Sequence, residues 1–365
     1  MKTHIFRSLP LKADSRTTRN QQIFSNGKSQ TYTWEKSGGK TDSTISFPYS
    51  KSGGKLQKGI KFFLFSIWVP IQVLKHAKKS DKVVFMDLET AALGLLAAKI
   101  KRTESIFDIV DPFAQTKIKS KTIQKLLDKI EIYIARHFDK VIIPHQSRIK
   151  YYSDRGISTN RIPKMHIIEN VPLLQDGNHP KKPNREIITI GYFGTLDNES
   201  RGIEWLIEFC KRMNGKYNLL IAGGGAMQNK IQELSHSNTN IEFLGPYSAL
   251  QIPELYSKID FTWAYYTPKI ELHKYAAPNK FYEHIFFKTP IITSSCIPQN
   301  KEIESLGSGI KVNAEDFSAS EMEKLDRLIS EIQSKKNEIH NRLEIHWKEN
   351  YEIYYETIKR SEVCA

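Results

Sequence analysis

The sequence predicts two α/β domains, each built on a doubly wound parallel sheet. Three observations carry that expectation. Short apolar, β-branched runs alternate with longer amphipathic stretches along most of the chain. The alternation lapses at 173–185 (LLQDGNHPKKPNR), a Pro-, Asn- and Lys-rich stretch with no apolar period that reads as a linker. The length, 365 residues, suits two domains of ordinary size. The expected division is therefore 1–172, a linker at 173–185, and a second domain from 186.

In the first half, His4–Leu9 reads as a strand, the polar stretch to Asn26 as a helix and Thr31–Trp34 as a strand. Two copies of KSGGK follow, Lys36–Lys40 and Lys51–Lys55, which read as basic loops because two copies make no repeat architecture. Phe62–Leu74 is the most apolar run. Ser66 and Pro70 interrupt it and it is too short to span a bilayer, so a core helix is expected there. Lys55, Lys58 and Lys61 precede it, so a peripheral hold on an anionic membrane through Phe62–Trp68 is the competing reading. Val83–Asp87, Ser105–Val110, Lys140–Pro144 and Met165–Glu169 are further strands, separated by helices at Thr90–Lys99, Lys121–His137 and Ser147–Arg155.

After the linker the alternation restarts. Ile187–Phe193, Asn218–Ala222, Ile241–Leu244 and Asp260–Ala264 read as strands, and Gly202–Met213, Met227–Ser235 and Ile252–Lys258 as helices. Ser320–Lys359 is helical, with charge and aromatics mixed (Trp347, Tyr351, Tyr354, Tyr355).

Composition narrows the partners. Hydrophobic residues make up 39% and aromatics 11%, enough for real cores. Lys and Arg number 54 against 40 Asp and Glu, a net charge of +14, which favours anionic partners. Cys210, Cys296 and Cys364 are scattered, so no disulfide framework or zinc spacing exists and a reducing compartment is expected. The start, MKTHIFRSLPLKADSR, lacks the apolar core of a secretory signal. No HExxH, CxxC pair, GxSxG or P-loop pattern occurs, and no DxD at a strand end, so neither a metal nor another cofactor is expected.

The chemistry concentrates in four segments. Tyr275–Ser295 (YAAPNKFYEHIFFKTPIITSS) reads as a loop, a helix entered at Pro278, and a buried strand after Thr289-Pro290. A helix N-terminus there offers unpaired N–H groups to a phosphate, and Glu283, one turn in, can accept hydrogen bonds from sugar hydroxyls. Gly191–Phe209 places Gly194 and Gly202 around a strand-to-helix turn of the kind that approaches a pyrophosphate. Ala222–Gly225 and Ile241–Tyr247 (IEFLGPY) add glycine turns after two further strands. In the first half, Phe107–Phe113 (FDIVDPF) sets Asp108 and Asp111 at a strand's C-terminal end, where open α/β sheets bind ligands; Asp111 is the candidate to face a ligand, and Asp108 reads as structural.

These segments together resemble GT-B fold glycosyltransferases of the retaining, family 4-like kind found in bacterial surface polysaccharide synthesis. The resemblance is specific over Gly191–Ser295 and loose before residue 170. It implies two Rossmann-like domains facing across a cleft: 1–172 on the acceptor side, and 186–341 binding a nucleotide diphosphate sugar. A C-terminal helix at about 342–365 would cross back to the first domain.

The resemblance also implies site residues. Arg201 and Lys280 would neutralise the donor diphosphate, and Asp111 would orient the acceptor hydroxyl or the moving sugar. These are the expected catalytic set. Gly194, Thr195, Gly223, Tyr247, Pro278, Asn279 and Glu283 would bind the donor, with Glu283 on the ribose. Two positions depart from the family pattern. Thr195 stands where an arginine is usual, and Tyr275 stands where many members have a second glutamate.

The implied acceptor is a glycan or lipid-linked glycan of lipopolysaccharide or capsule. The implied place is the cytoplasm, with peripheral contact at the inner face of the membrane. A sugar-nucleotide epimerase or a non-catalytic protein of the same fold is the alternative within this architecture. A basic nucleic-acid-binding protein is the alternative from another class, although no recognised nucleic-acid motif occurs.

Overall fold

The computed structural model describes residues 1–11, 14–24, 28–35, 44–50, 53–162, 165–173, 186–197 and 199–361, without the side chain of Lys55. The linker expectation at 174–185, the KSGGK copy at 36–40 and the start of the second copy lie outside these residues. Contacts divide the chain into two units, Met1–Glu169 with Tyr355–Ala365, and Asn170–Tyr354.

Unit 1 holds β1 (Thr3–Phe6), α1 (Ser15–Phe24), β2 (Ser29–Thr33), β3 (Thr44–Ser46), α2 (Lys55–His76), β4 (Lys82–Met86) and α3 (Leu88–Lys101). It continues with β5 (Glu104–Asp108), α4 (Phe113–Lys117), α5 (Lys121–Ala135), β6 (Lys140–Ile143), α6 (Ser147–Asp154) and β7 (Met165–Ile167). The seven strands are parallel in the order β3-β2-β1-β4-β5-β6-β7. The connections run outward in opposite senses from β1 and β4, so the switch point of the sheet lies between those two strands.

Alternate strand residues face opposite sides, as a two-residue period demands. Ile5, Val84, Met86, Ile106 and Ile142 pack with Ile23 and Phe24 of α1. Phe85 and Phe107 pack with Phe138. β3 is only three residues long and is flanked by polar sequence, too short for a periodic signal.

Unit 2 holds β8 (Ile188–Phe193), α7 (Ile203–Arg212), β9 (Tyr217–Ala222), α8 (Gln228–Ser237), β10 (Ile241–Phe243), α9 (Ile252–Ser257), β11 (Phe261–Ala264) and α10 (Asn279–Phe286). After these come β12 (Ile291–Thr293), α11 (Asn300–Leu306), β13 (Gly309–Lys311), α12 (Ala319–Ser334) and α13 (Lys336–Asn350). Its parallel order is β10-β9-β8-β11-β12-β13, with the switch point between β8 and β11. The core stacks Trp205 on Trp263 and Phe209, all buried. Neither α11 nor β13 is foreseen in the sequence, because both are short and their apolar residues are few.

The C-terminal helix begins its return later than the sequence suggests. Residues from about 342 were expected with the first domain, yet α13 remains with unit 2. The reason is aromatic packing on α10. Trp347 meets Phe286 edge-on at 4.6 Å and Tyr351 meets Tyr282 at 5.5 Å. Only from Tyr355 does the chain group with unit 1, where Tyr355 and Ile358 of the last helix, α14 (Tyr354–Arg360), pack on the Ile5–Ile23 cluster.

Candidate donor site at the switch point of unit 2

The site is assembled where β8 and β11 end. Gly194 follows β8, and its N–H donates to the Ala222 carbonyl at 2.9 Å, while the Leu196 N–H donates to Gly224 at 3.1 Å. These bonds bring the loops after β8 and β9 into contact. Gly223 is the residue this closeness requires: a Cβ there would lie 1.8 Å from the Gly194 carbonyl oxygen. Thr195 is exposed, and its carbonyl accepts the Tyr192 hydroxyl.

Lys280 lies in the first turn of α10, whose entry loop is held by the Asn170 side-chain amide donating to the Ala277 carbonyl at 2.7 Å. Pro278 is the N-cap residue in extended conformation (φ −73°, ψ 132°), and Asn279 begins the helix. The Lys280 ammonium sits beside Gly194, where a built Cβ would come within 3.1 Å of it, and 5.4 Å from the centre of the Tyr192 ring. Burial lowers its pKa to about 8, with Glu283 opposing the shift and Arg201 adding to it.

Arg201 precedes Gly202, which caps α7 with φ +61°. The Arg201 guanidinium lies 4.4 Å from the centre of the Tyr266 ring, and its Nε is 3.7 Å from the Asp197 carboxylate. Its Nη1 is buried without a hydrogen-bond partner. Trp263 fixes the backbone by donating from Nε1 to the Arg201 carbonyl at 2.7 Å.

Glu283 is buried one turn into α10 and accepts the Tyr256 hydroxyl at 3.0 Å. Tyr247 meets Phe193 edge-on at 6.3 Å, and burial together with the Glu283 charge raises its phenol pKa. Gly194, Arg201, Tyr247, Lys280 and Glu283, far apart in sequence, are thus gathered at one end of one sheet.

Asp111 belongs to unit 1 and pairs with Arg148. Asp108 is wholly buried and accepts two hydrogen bonds from Arg16, each 2.9 Å, and one from Asn20 at 2.7 Å. It is held by the interior of unit 1, in keeping with the structural role that the sequence suggests for it. The sequence reading passed over Tyr192, Tyr256 and Tyr266. Tyr266 lies two residues past β11 at the switch point, which is the one signal that could have marked it.

The site can present two cations, a helix N-terminus and a buried carboxylate to one ligand. Among the described residues, no group of three His, Cys, Asp or Glu is placed to hold a metal.

Residues 187–331, most of unit 2, match the model of a family described as glycosyl transferases group 1. Solved structures align with nearly the whole chain. Anabaena HepE in complex with UDP and glucose aligns over 99% of this chain and 97% of its own, at 13% identity and a TM-score of 0.71. A UDP-forming trehalose-phosphate synthase from Burkholderia xenovorans, in complex with glucose-6-phosphate, covers 99% of both chains at 10% identity and a TM-score of 0.70. Sucrose-phosphate synthase from Thermosynechococcus elongatus covers 98% and 97% at 13% identity and a TM-score of 0.67. The fold is that of the GT-B glycosyltransferases. No curated protein matches the chain at a significant level. Within the GT-B fold, unit 2 is thus the one whose sequence as well as its structure carries the family pattern.

Proposed function

We propose that this protein transfers a sugar from a nucleotide diphosphate sugar to an acceptor hydroxyl, with retention at the anomeric carbon. The observation that carries this reading is the Lys280 ammonium and the Arg201 guanidinium together at the end of β8, beside the first turn of α10. Negative charge grows on the departing diphosphate as the glycosidic bond breaks. Fixed cations and a helix N-terminus stabilise it without reorganising. Glu283 takes the ribose hydroxyls, and Tyr247 borders the base. The departing phosphate oxygen accepts the proton of the attacking hydroxyl, and Asp111 is the unit 1 group that orients the acceptor.

The proposed acceptor is a glycan or lipid-linked glycan of the cell surface, modified in the cytoplasm at the inner face of the membrane. The supports are the net charge of +14 and the family pattern in unit 2. The HepE and trehalose-phosphate synthase structures, with UDP, glucose or a sugar phosphate bound, make UDP-glucose the first donor to try.

A thermal-shift panel of nucleotide sugars tests the reading. A true donor at about 100 times its Kd adds roughly 2.7 kcal/mol of stability. That shift is expected in the native protein and absent in Lys280→Ala. No shift with any nucleotide sugar overturns the proposal. Product analysis then separates transfer from epimerisation, since only transfer frees the nucleoside diphosphate in step with a glycosylated acceptor.

A further inference from the structure

α2 is apolar on two sides. Its inner stripe, Phe65, Val69 and Val73, is fully buried, with Phe65 stacked on Trp34 and Trp68. Its outer stripe leaves Leu56 79%, Ile60 53%, Phe63 63% and Ile71 52% exposed, with Ile67 and Leu74 also open to solvent. These positions recur every three or four residues, so they form one continuous band about 27 Å long. A helix apolar all round is normally covered on all sides, and this one is not.

α3 extends the band. It packs along α2, with the Lys101 ammonium donating to the Leu74 carbonyl at 3.0 Å where both helices end. Leu93, Leu96 and Ile100 are exposed at helical spacing on its outer side, the last two by 63% and 69%. Two neighbouring helices thus leave apolar rows open to solvent, and isolated exposed leucines do not explain that.

The charge on these helices has one sign. α2 contains no Asp or Glu in its 22 residues, while Lys58, Lys61, Lys75 and His76 border the band. The single acid of α3, Glu89, is buried, and Lys99, Lys101 and Arg102 close the helix. An apolar strip edged by cations matches the boundary between acyl chains and anionic headgroups. Among the described residues no helix is long and apolar enough to cross a membrane, so the strip would lie along a bilayer and not through it.

We infer that the outer face of α2 and α3 docks unit 1 on an anionic bilayer. This rests on the proposed lipid-linked acceptor, and it relocates the contact expected at Phe62–Trp68. Phe65 is interior and Trp68 is half-buried against Phe47, so the lipid-facing residues are the outer stripe and the exposed row of α3.

The test is sedimentation of the full chain with vesicles of phosphatidylglycerol and phosphatidylcholine, against phosphatidylcholine alone. The native protein should pellet with the anionic vesicles only. Ile67→Glu with Leu96→Glu should reduce that binding at least about tenfold, and Lys58→Glu about fivefold. Leu250→Glu, at a position 91% exposed in unit 2, should change nothing. Negligible binding to both vesicle types overturns the docking face, as does binding that the double variant leaves intact. Light scattering covers the remaining occupant: a native dimer that the double variant breaks, without vesicle binding, assigns the face to a second copy and overturns the inference. A nucleotide-sugar thermal shift on the same samples keeps the two readings apart. A donor shift without vesicle binding removes the docking face alone, and vesicle binding without any donor shift removes the proposed transfer alone.

Discussion

Both units gather charged residues beyond the C-terminal ends of their central strands, but they treat those charges in opposite ways. In unit 1 the cations at the sheet's C-terminal edge are paired. Arg7 pairs with Asp14 and Asp87 and Arg16 with Asp108, while Arg148 meets the half-exposed Asp111 through one nitrogen and leaves Nε and Nη1 buried without a hydrogen-bond partner. In unit 2 the equivalent edge keeps its cations available. Among the described residues Lys280 has no carboxylate within ion-pair distance, and Arg201 has only Asp197, at 3.7 Å, and the face of Tyr266. A buried pair whose partners satisfy each other fixes a structure, whereas a cation left short of a partner at a sheet's switch point is a candidate to meet a ligand. Topology alone makes both switch points candidates, and charge pairing separates them.

Removing a partner in unit 1 should give the largest effect. Asp108→Ala strands the buried Arg16 guanidinium and should cost about 3–5 kcal/mol of stability, read as a lower denaturant midpoint. If stability is unchanged, the pairing in unit 1 is not structural and the comparison breaks.

The cations of unit 2 should behave in the reverse manner. Lys280→Ala and Arg201→Ala should each lower turnover by about 10²–10³ while leaving the unfolding midpoint close to native. A variant that keeps more than about a third of native turnover moves the charge clamp elsewhere, with Thr195 the next position to try.

Glu283→Ala sharpens the same site through affinity. Losing a charged acceptor for ribose hydroxyls should weaken nucleotide binding by about ten- to a hundredfold in calorimetry, in a protein that still folds. Unchanged affinity in the folded variant removes the ribose role.

The smallest effect is the dependence on pH. In the proposed reading Lys280 holds the diphosphate as the ammonium, so donor affinity should fall as pH rises through about 8. Stability of the ligand-free protein should move the other way. The folded pKa lies below the unfolded value of 10.5, so the unfolded chain holds more protons between about 8 and 10.5 and stability gains with pH across that window. Lys280→Met should flatten both trends. Trends that survive the substitution belong to another group.

Much of the fold is legible in the sequence because strands buried on both faces must be continuous apolar runs. Val83–Asp87 and Asn218–Ala222 foretell β4 and β9 to within a residue at each end. The same reasoning misses β3 and β13, which are three residues long and take their place from neighbours already formed. The site shows the same split. Pro278, Lys280 and Glu283 share one segment that the family resemblance marks, whereas Tyr256 and Tyr266 reach the candidate site from separate segments, and only the place of Tyr266 just past β11 hints at it.

Sequence alone determined the two α/β units and the alternation that makes their sheets parallel, and it marked the segments proposed for phosphate binding. Those follow from period, apolar content and turn residues, all of which act over a few neighbours. Only the tertiary structure decided which charges are paired. It buries Asp108 against Arg16 across 92 positions of chain, and it lifts Lys280 to Gly194 with no carboxylate at ion-pair distance among the described residues. It also turned one side of α2 outward, although the run is apolar on both. Burial and pairing depend on what the rest of the chain brings close, and no local pattern contains that.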